Sequence, residues 1–254
     1  MINIEEVNNE FFRYVKNFDE SNIKIKRKKE HSIRVQNISK IIAQDLKLSN
    51  EEINLSMLIG VLHDIGRFEQ AKQFNTFNDF KSFDHGDYGA ELLEKLLINY
   101  IDTDKYNNII IQAVRNHNKL IIDKTLDSSQ QLFAKLIRDA DKLDIMDETI
   151  NLFYKGEEDI ISNSDISDYT FDFIKKQQTV ASSKNIDVVY LDKIVRTIAF
   201  VFDLNFKKSF AIVKEQDYIN RIIDRFNYNS EQTKKRMEEI REIVNKYIDE
   251  RLYL

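Results

Sequence analysis

Ser49-Asn50-Glu51-Glu52, followed by Ile53, Met57, Leu58, Val61, Leu62 and then His63-Asp64-Ile65-Gly66, is the stretch on which the reading of this chain turns. Ser49 and Glu52 stand at the spacing of a capping box, in which each side chain satisfies an amide that a helix start leaves open. The apolar residues behind them recur at helical spacing, so a buried helix is expected, with Gly66 as its terminator. A histidine and an aspartate close that helix. Buried groups of this kind cost free energy unless they are paired or coordinated.

Working outward, the arrangement repeats. A helix is expected from about Lys28 to Leu46 with an apolar stripe of Val35, Ile38 and Ile42, and His31 lies on that stripe. Asp84 can cap a helix that carries His85 near its start and then Ala90, Leu92, Leu93, Leu96 and Leu97. Asp102 or Thr103 can cap one with Ile110, Ala113, Val114 and His117 on a single face, and Ser128 or Ser129 one with Phe133, Ile137 and Asp141. All four histidines of the chain fall in this series, and four of its five glycines (Gly60, Gly66, Gly86, Gly89) lie around its middle. Residues 67–83 are aromatic and polar and read as a loop.

The flanks are less informative. A first helix is expected over about residues 4–18, with Val7, Phe11, Tyr14 and Val15 on one face. The run Lys24, Lys26, Arg27, Lys28, Lys29 reads as a solvated helix start, or as a rim to the cleft. Residues 156–185 are polar and read as partly irregular. Helices are expected near 186–204, 207–226 and 230–252, the last capped by Ser230 with a stripe of Met237, Ile240, Val244, Tyr247 and Ile248. No change of composition marks a boundary. The expectation is one all-α domain over 1–254, with a core at about 25–150 and a C-terminal helical extension at about 151–254.

Composition agrees with helices. In 254 residues there is no proline, 42% are hydrophobic and 32% charged. Without cysteine there is neither a disulfide framework nor a thiolate metal site. A formal net charge of −5 argues against general nucleic-acid binding. No apolar run approaches the ~20 residues of a membrane span, and no signal peptide is visible, so a cytoplasmic location is expected. Glycine-rich phosphate loops and the G-x-S-x-G elbow are absent.

Imidazole and carboxylate side chains converging from separate helices need a shared partner, and the donor set suits a divalent ion such as Mn, Fe, Co, Ni, Mg or Zn. Such an ion can generate hydroxide at neutral pH and polarise a phosphoryl oxygen. Arg67 and Lys142 stand beside these ligands and, with Lys119, are candidates to neutralise substrate phosphate; Arg67 also reads as a charge complementing a helix C-terminus. Glu69 and Asp87 are candidates to steer the attacking water.

The set His31, His63-Asp64 and Asp141 resembles the H…HD…D signature of the HD-domain superfamily of metal-dependent phosphohydrolases. The wording around it is similar too: Val61-Leu62-His63-Asp64-Ile65-Gly66-Arg67, Asp84-His85-Gly86-Asp87-Tyr88-Gly89-Ala90 and Arg138-Asp139-Ala140-Asp141-Lys142-Leu143-Asp144. The resemblance covers about residues 25–150. It implies an all-α fold and one or two divalent ions per chain. His31, His63, Asp64 and Asp141 would hold the first, with Asp139 and Asp144 as rivals for the last place. His85 and His117 look like the further ligands of two-metal branches, with a bridging Asp64 that also belongs to the catalytic set. The chain departs from the best-known of those branches by having His117-Asn118 where they often carry two adjacent histidines.

The activity implied is hydrolysis of a nucleotide or another small phosphate ester. Two alternatives remain on the same scaffold: a non-catalytic nucleotide-sensing module and a di-iron oxygenase. The expected partner is a small phosphorylated substrate, with self-association into a homo-oligomer also open.

Overall fold

The structure is a computed structural model that describes residues 2–151, 157–180 and 190–253. As expected, the fold is all-α, and no strand occurs among the described residues. Two compact units divide at Asp141 and Lys142.

The first unit holds α1 (Ile4–Val15), α2 (Ile23–Asp45), α3 (Asn50–Leu62), α4 (Ile65–Phe74), α5 (His85–Leu96) and α6 (Asn107–Asn116), with 3-10 turns at Asp79–Lys81 and Leu97–Asn99. The next helix, α7 (Ser128–Asn151), begins in this unit and runs past the boundary. Its core includes Phe11, Ile25, Ile42, Leu55, Leu58, Leu62, Phe68, Leu93, Ile110 and Ile137, all almost wholly buried. Each such side chain contributes about 1.5–3 kcal/mol by leaving water. Phe68 anchors α4 beneath α1, with its ring 5.9 Å from Phe11, 5.6 Å from Phe18 and 6.0 Å from Tyr14.

Several boundaries depart from the sequence reading for local reasons. α1 ends at Val15 rather than near 18. α2 begins at Ile23, because Asn22 caps it by accepting from the Lys24 amide at 2.9 Å. The basic run therefore lies within the first turns of α2. The expected capping box is present: Ser49 Oγ accepts from the Glu52 amide, and Glu52 accepts from the Ser49 amide.

Residues 67–83 are not all loop, since most of α4 lies there. Gly66 does not terminate a helix. α3 stops at Leu62, Asp64 leaves helical geometry (φ −102°, ψ 20°), and Gly66 sits in the first turn of α4. What requires a glycine is close approach: a Cβ at Gly66 would lie 2.5 Å from the His85 carbonyl oxygen and 3.0 Å from the Gly89 amide. Gly60 serves α3 in the same way, with a Cβ there falling 2.8 Å from Gln36 Cα of α2. Neither Asp102 nor Thr103 caps α6, which begins later, at Asn107. The start of α7 is closed by Asp127, whose carboxylate accepts from the Gln130 amide at 2.9 Å while Gln130 Oε1 accepts from the Asp127 amide at 3.0 Å.

The second unit holds α8 (Glu158–Ser162), α9 (Asp168–Lys175), α10 (Tyr190–Ile198) with a 3-10 turn at Ala199–Asp203, α11 (Lys207–Glu215), α12 (Tyr218–Ile223) and α13 (Glu231–Tyr253). Two short helices thus occupy part of the span read as irregular. The start of the helix expected at 186–204 lies outside the described residues. The helix expected at 207–226 is split at Asp217, whose φ of 53° is left-handed. α13 buries Met237, Ile240, Val244, Tyr247 and Ile248, the expected stripe. It is tied by Thr233 to Asp165 (2.6 Å) and by Arg236 to the Ile166 carbonyl (2.6 Å). Among the described residues no helix is long and apolar enough to cross a membrane.

Candidate metal centre

The six expected ligands meet in the first unit. Four of them sit at helix ends: His63 follows the last residue of α3, Asp64 precedes the first of α4, His85 opens α5 and His117 follows α6. His31 and Asp141 project from the interiors of α2 and α7. The close crossing at Gly66 brings the start of α4 against the start of α5, and so carries Asp64 to His85.

Asp64 divides the centre in two. Its Oδ2 lies 3.4 Å from His31 Nε2 and 3.5 Å from His63 Nε2; its Oδ1 lies 3.4 Å from His85 Nε2 and 3.6 Å from His117 Nε2. On the first side Asp141 Oδ1 completes the group, 3.1 Å from His31 Nε2 and 3.5 Å from His63 Nε2. Asp141 Oδ1 thus faces both histidines at once.

The imidazoles also face one another, with Nε2 to Nε2 at 3.2 Å for His31 and His63 and 3.0 Å for His85 and His117. In the rings of His63, His85 and His117 the other nitrogen is already committed. His63 Nδ1 donates to the Gly60 carbonyl (2.8 Å), His117 Nδ1 to the Val114 carbonyl (2.6 Å) and His85 Nδ1 to Asp79 Oδ2 (2.7 Å). With the proton on Nδ1, each Nε2 presents a lone pair, and the lone pairs of His85 and His117 cannot hydrogen-bond to each other. A cation between them removes the conflict. Ligand atoms about 2.0–2.2 Å from one ion lie roughly 3.0–3.6 Å apart, the range found here. The donor set therefore fits one divalent ion on each side of Asp64.

Protonation favours the same end. Burial pushes the His63 imidazole down, although Asp64 and Asp141 oppose it. Burial, aided by Arg67, pushes His85 down to about 4. Burial alone would raise the Asp64 carboxyl, but Lys28 and the histidines outweigh it and hold Asp64 well below the usual carboxylate range. Burial is likewise outweighed at Asp141, by His31 and His63. Neutral imidazoles and ionised carboxylates are the forms that bind metal.

The remaining expected residues are placed differently. Arg67 lies in the first turn of α4, not at a helix C-terminus. It donates to Gln70 (2.6 Å), the Phe77 carbonyl (2.7 Å) and Asp79 (2.8 Å), with its Nε 3.6 Å from Asp64 Oδ1. Lys119 pairs with both Asp84 and Asp87 at 2.7 Å, so Lys119 and Asp87 meet each other rather than the histidines. Glu69 accepts from Gln73 and pairs with Lys72 along α4. Lys142 is the first residue of the second unit and pairs there with Asp203 at 2.9 Å.

Three contributors went unsingled by sequence reasoning. Lys28, within the run read as a solvated helix start or as a rim to the cleft, reaches Asp64 Oδ2 at 2.6 Å. Its spacing of three residues before His31 on α2 was a usable signal. Asp79 holds His85 from a stretch read as loop. Arg138 is buried and donates to the carbonyls of Asn116, His117 and Lys119, which ties the end of α6 to α7.

No curated protein and no solved structure matches the chain. The family model of the HD domain matches residues 29–146, a span that contains His31, His63, Asp64, His85, His117 and Asp141. That span of the chain is an HD domain.

Proposed function

We propose that this chain is a metal-dependent phosphohydrolase that cleaves a phosphate ester or anhydride bond of a nucleotide or another small phosphorylated metabolite. The observation that carries the reading is the pair of facing imidazole pairs with one carboxylate, Asp64, between them. Divalent ions held there supply a Lewis acid for water and for the phosphoryl oxygens.

The chain's own residues do the rest. His85 and His117 are held rigidly by their Nδ1 hydrogen bonds, so little reorganisation is needed on binding. The side chains of Asp141, Lys28 and Arg67 remain 16%, 18% and 15% exposed, whereas those of the four histidines and Asp64 are 5% or less. Substrate reaches the centre on that more open side. Lys28 and Arg67 approach the two oxygens of Asp64 from either side, and both lie about the Phe77 ring at 5.5 Å. They are placed to receive phosphoryl oxygens and to steer an anion into a protein of net negative charge.

The test is phosphate release from nucleotides, phosphomonoesters and phosphodiesters by chain reconstituted in turn with Mn, Fe, Co, Ni, Zn and Mg. Turnover that is lost in Asp64→Ala supports the reading. Nucleotide binding without turnover under every metal would make the chain a sensing module instead. A carboxylate between two imidazole pairs would also suit a di-iron oxygenase. Oxygen consumption by the iron form, with no phosphate released, would favour that second reading.

A further inference from the structure

We propose that Asp79 is the positioning residue of the His85–His117 half of the centre, fixing the tautomer and direction of the His85 ring so that its Nε2 faces His117 and Asp64. The inference rests on the metal centre described above but not on phosphohydrolase chemistry.

Helix geometry explains why such a residue is needed. His63 and His117 follow the ends of α3 and α6, where carbonyls three residues back are open, and their Nδ1 atoms use Gly60 and Val114. His85 is the first residue of α5, and a helix start presents amides rather than carbonyls. The neighbouring Asp84 is spent as the cap, its Oδ1 accepting from the amides of Gly86 (2.9 Å) and Asp87 (3.0 Å). The acceptor for His85 Nδ1 must come from elsewhere, and Asp79 Oδ2 supplies it at 2.7 Å.

Asp79 is itself held on several sides. Its Oδ1 accepts from Arg67 Nη1 and Gln70 Nε2, both at 2.8 Å, and Asn118 Nδ2 lies 3.4 Å from its Oδ2. Gln70, fully buried, also donates to Ser82 Oγ (2.8 Å) and the Phe83 carbonyl (3.0 Å), which fixes the segment carrying Asp79. Asp79, Asp84 and His85 together have the look of a cation site. Their carboxylates are already met by Arg67, Gln70, Asn118 and Lys119, so the group serves as support for His85 rather than as a place for a third ion.

A carboxylate raises the basicity of the ring it holds more than a backbone carbonyl does. The two halves of the centre are therefore unequal, and only one depends on Asp79.

The test compares the full chain with Asp79→Ala and Asp79→Asn. In metal-free protein, the ring nitrogens of 15N-labelled histidines report the tautomers. Asp79→Ala should shift His85 alone toward a mixed tautomer and leave His63 and His117 unchanged. In calorimetric titration with Mn or Co, one of two ions should lose about 10–100-fold in affinity while the other keeps its wild-type value. Asp79→Asn, which keeps an acceptor without the charge, should fall between, and it carries the test if the alanine variant melts early.

An unchanged His85 tautomer with unchanged affinities would overturn the proposal. So would an equal loss at both sites, or a wild-type chain that binds only one ion. Two ions with the expected Asp79 effect, but no phosphate release from any substrate, would overturn the proposed hydrolysis and leave the role of Asp79 standing.

Discussion

Lys28 Nζ lies 2.6 Å from Asp64 Oδ2, the same oxygen that faces His31 and His63. In the metal-free protein this lysine supplies the positive charge that a buried, ionised carboxylate requires.

Lys28→Met should therefore destabilise the metal-free chain, by about 1–3 kcal/mol, at the lower end because Lys28 keeps some solvent contact. With saturating Mn the difference should vanish, since the ion takes over the charge at Asp64. Urea unfolding with and without Mn measures both. An equal loss in both conditions would show that Lys28 acts elsewhere.

His63→Ala and Asp64→Ala should abolish hydrolysis, and His63→Ala should empty the half of the centre it shares with His31. Asp64→Ala should empty both halves of the centre, because its two oxygens serve one each. His117→Ala should empty only the half it shares with His85. Metal content per chain by plasma mass spectrometry separates Asp64→Ala from the two histidine variants, and retention of two ions by Asp64→Ala would refute its place in both halves.

Stability of the metal-free chain should fall with pH in two stages. His63 and His85 are pushed below their ordinary value, His85 to about 4, so the unfolded chain binds more protons than the folded one between pH ~6.5 and that value. Their contribution is complete above pH ~6.5 and is lost as pH falls toward 4. Asp64 and Asp141, held well below the usual carboxylate value, contribute above pH ~3.8 and are lost below it. Urea midpoints measured from pH 7.5 down to 3 check the sign; a flat profile between pH 6.5 and 4.5 would contradict it.

Gly66→Ala should cost about 1–3 kcal/mol by overpacking, because the new methyl would meet the His85 carbonyl oxygen at 2.5 Å, and backbone has little room to yield. Since the crossing at Gly66 sets Asp64 against His85, metal affinity should drop with stability. A denaturation midpoint and a metal titration on the same sample test this. Wild-type values for both would show that α4 and α5 separate freely.

Much of this centre was legible in the chain itself. The apolar period of each helix placed His31, His117 and Asp141 on inward faces, and the capping box at Ser49 and Glu52 located α3 and hence His63-Asp64. Buried imidazoles and carboxylates on separate helices need a common partner, and that is a consequence of desolvation which requires no coordinates. The all-α class follows equally from a sequence without proline and with few glycines.

What only the tertiary structure decided are the relations that cross between helices. Periodicity gives Asp139 and Asp141 similar standing, and only the fold turns Asp141 Oδ1 toward both His31 and His63. Gly66 read as a helix stop because a glycine's local signal is conformational, whereas its role here is steric and involves a residue nineteen positions away. Lys28 and Asp79 stayed hidden for the same reason. The spacing of Lys28 to His31 put it on the face of the centre but did not name its partner, and a carboxylate in a polar loop carries no mark at all; those partners, Asp64 and His85, are brought to them by the fold.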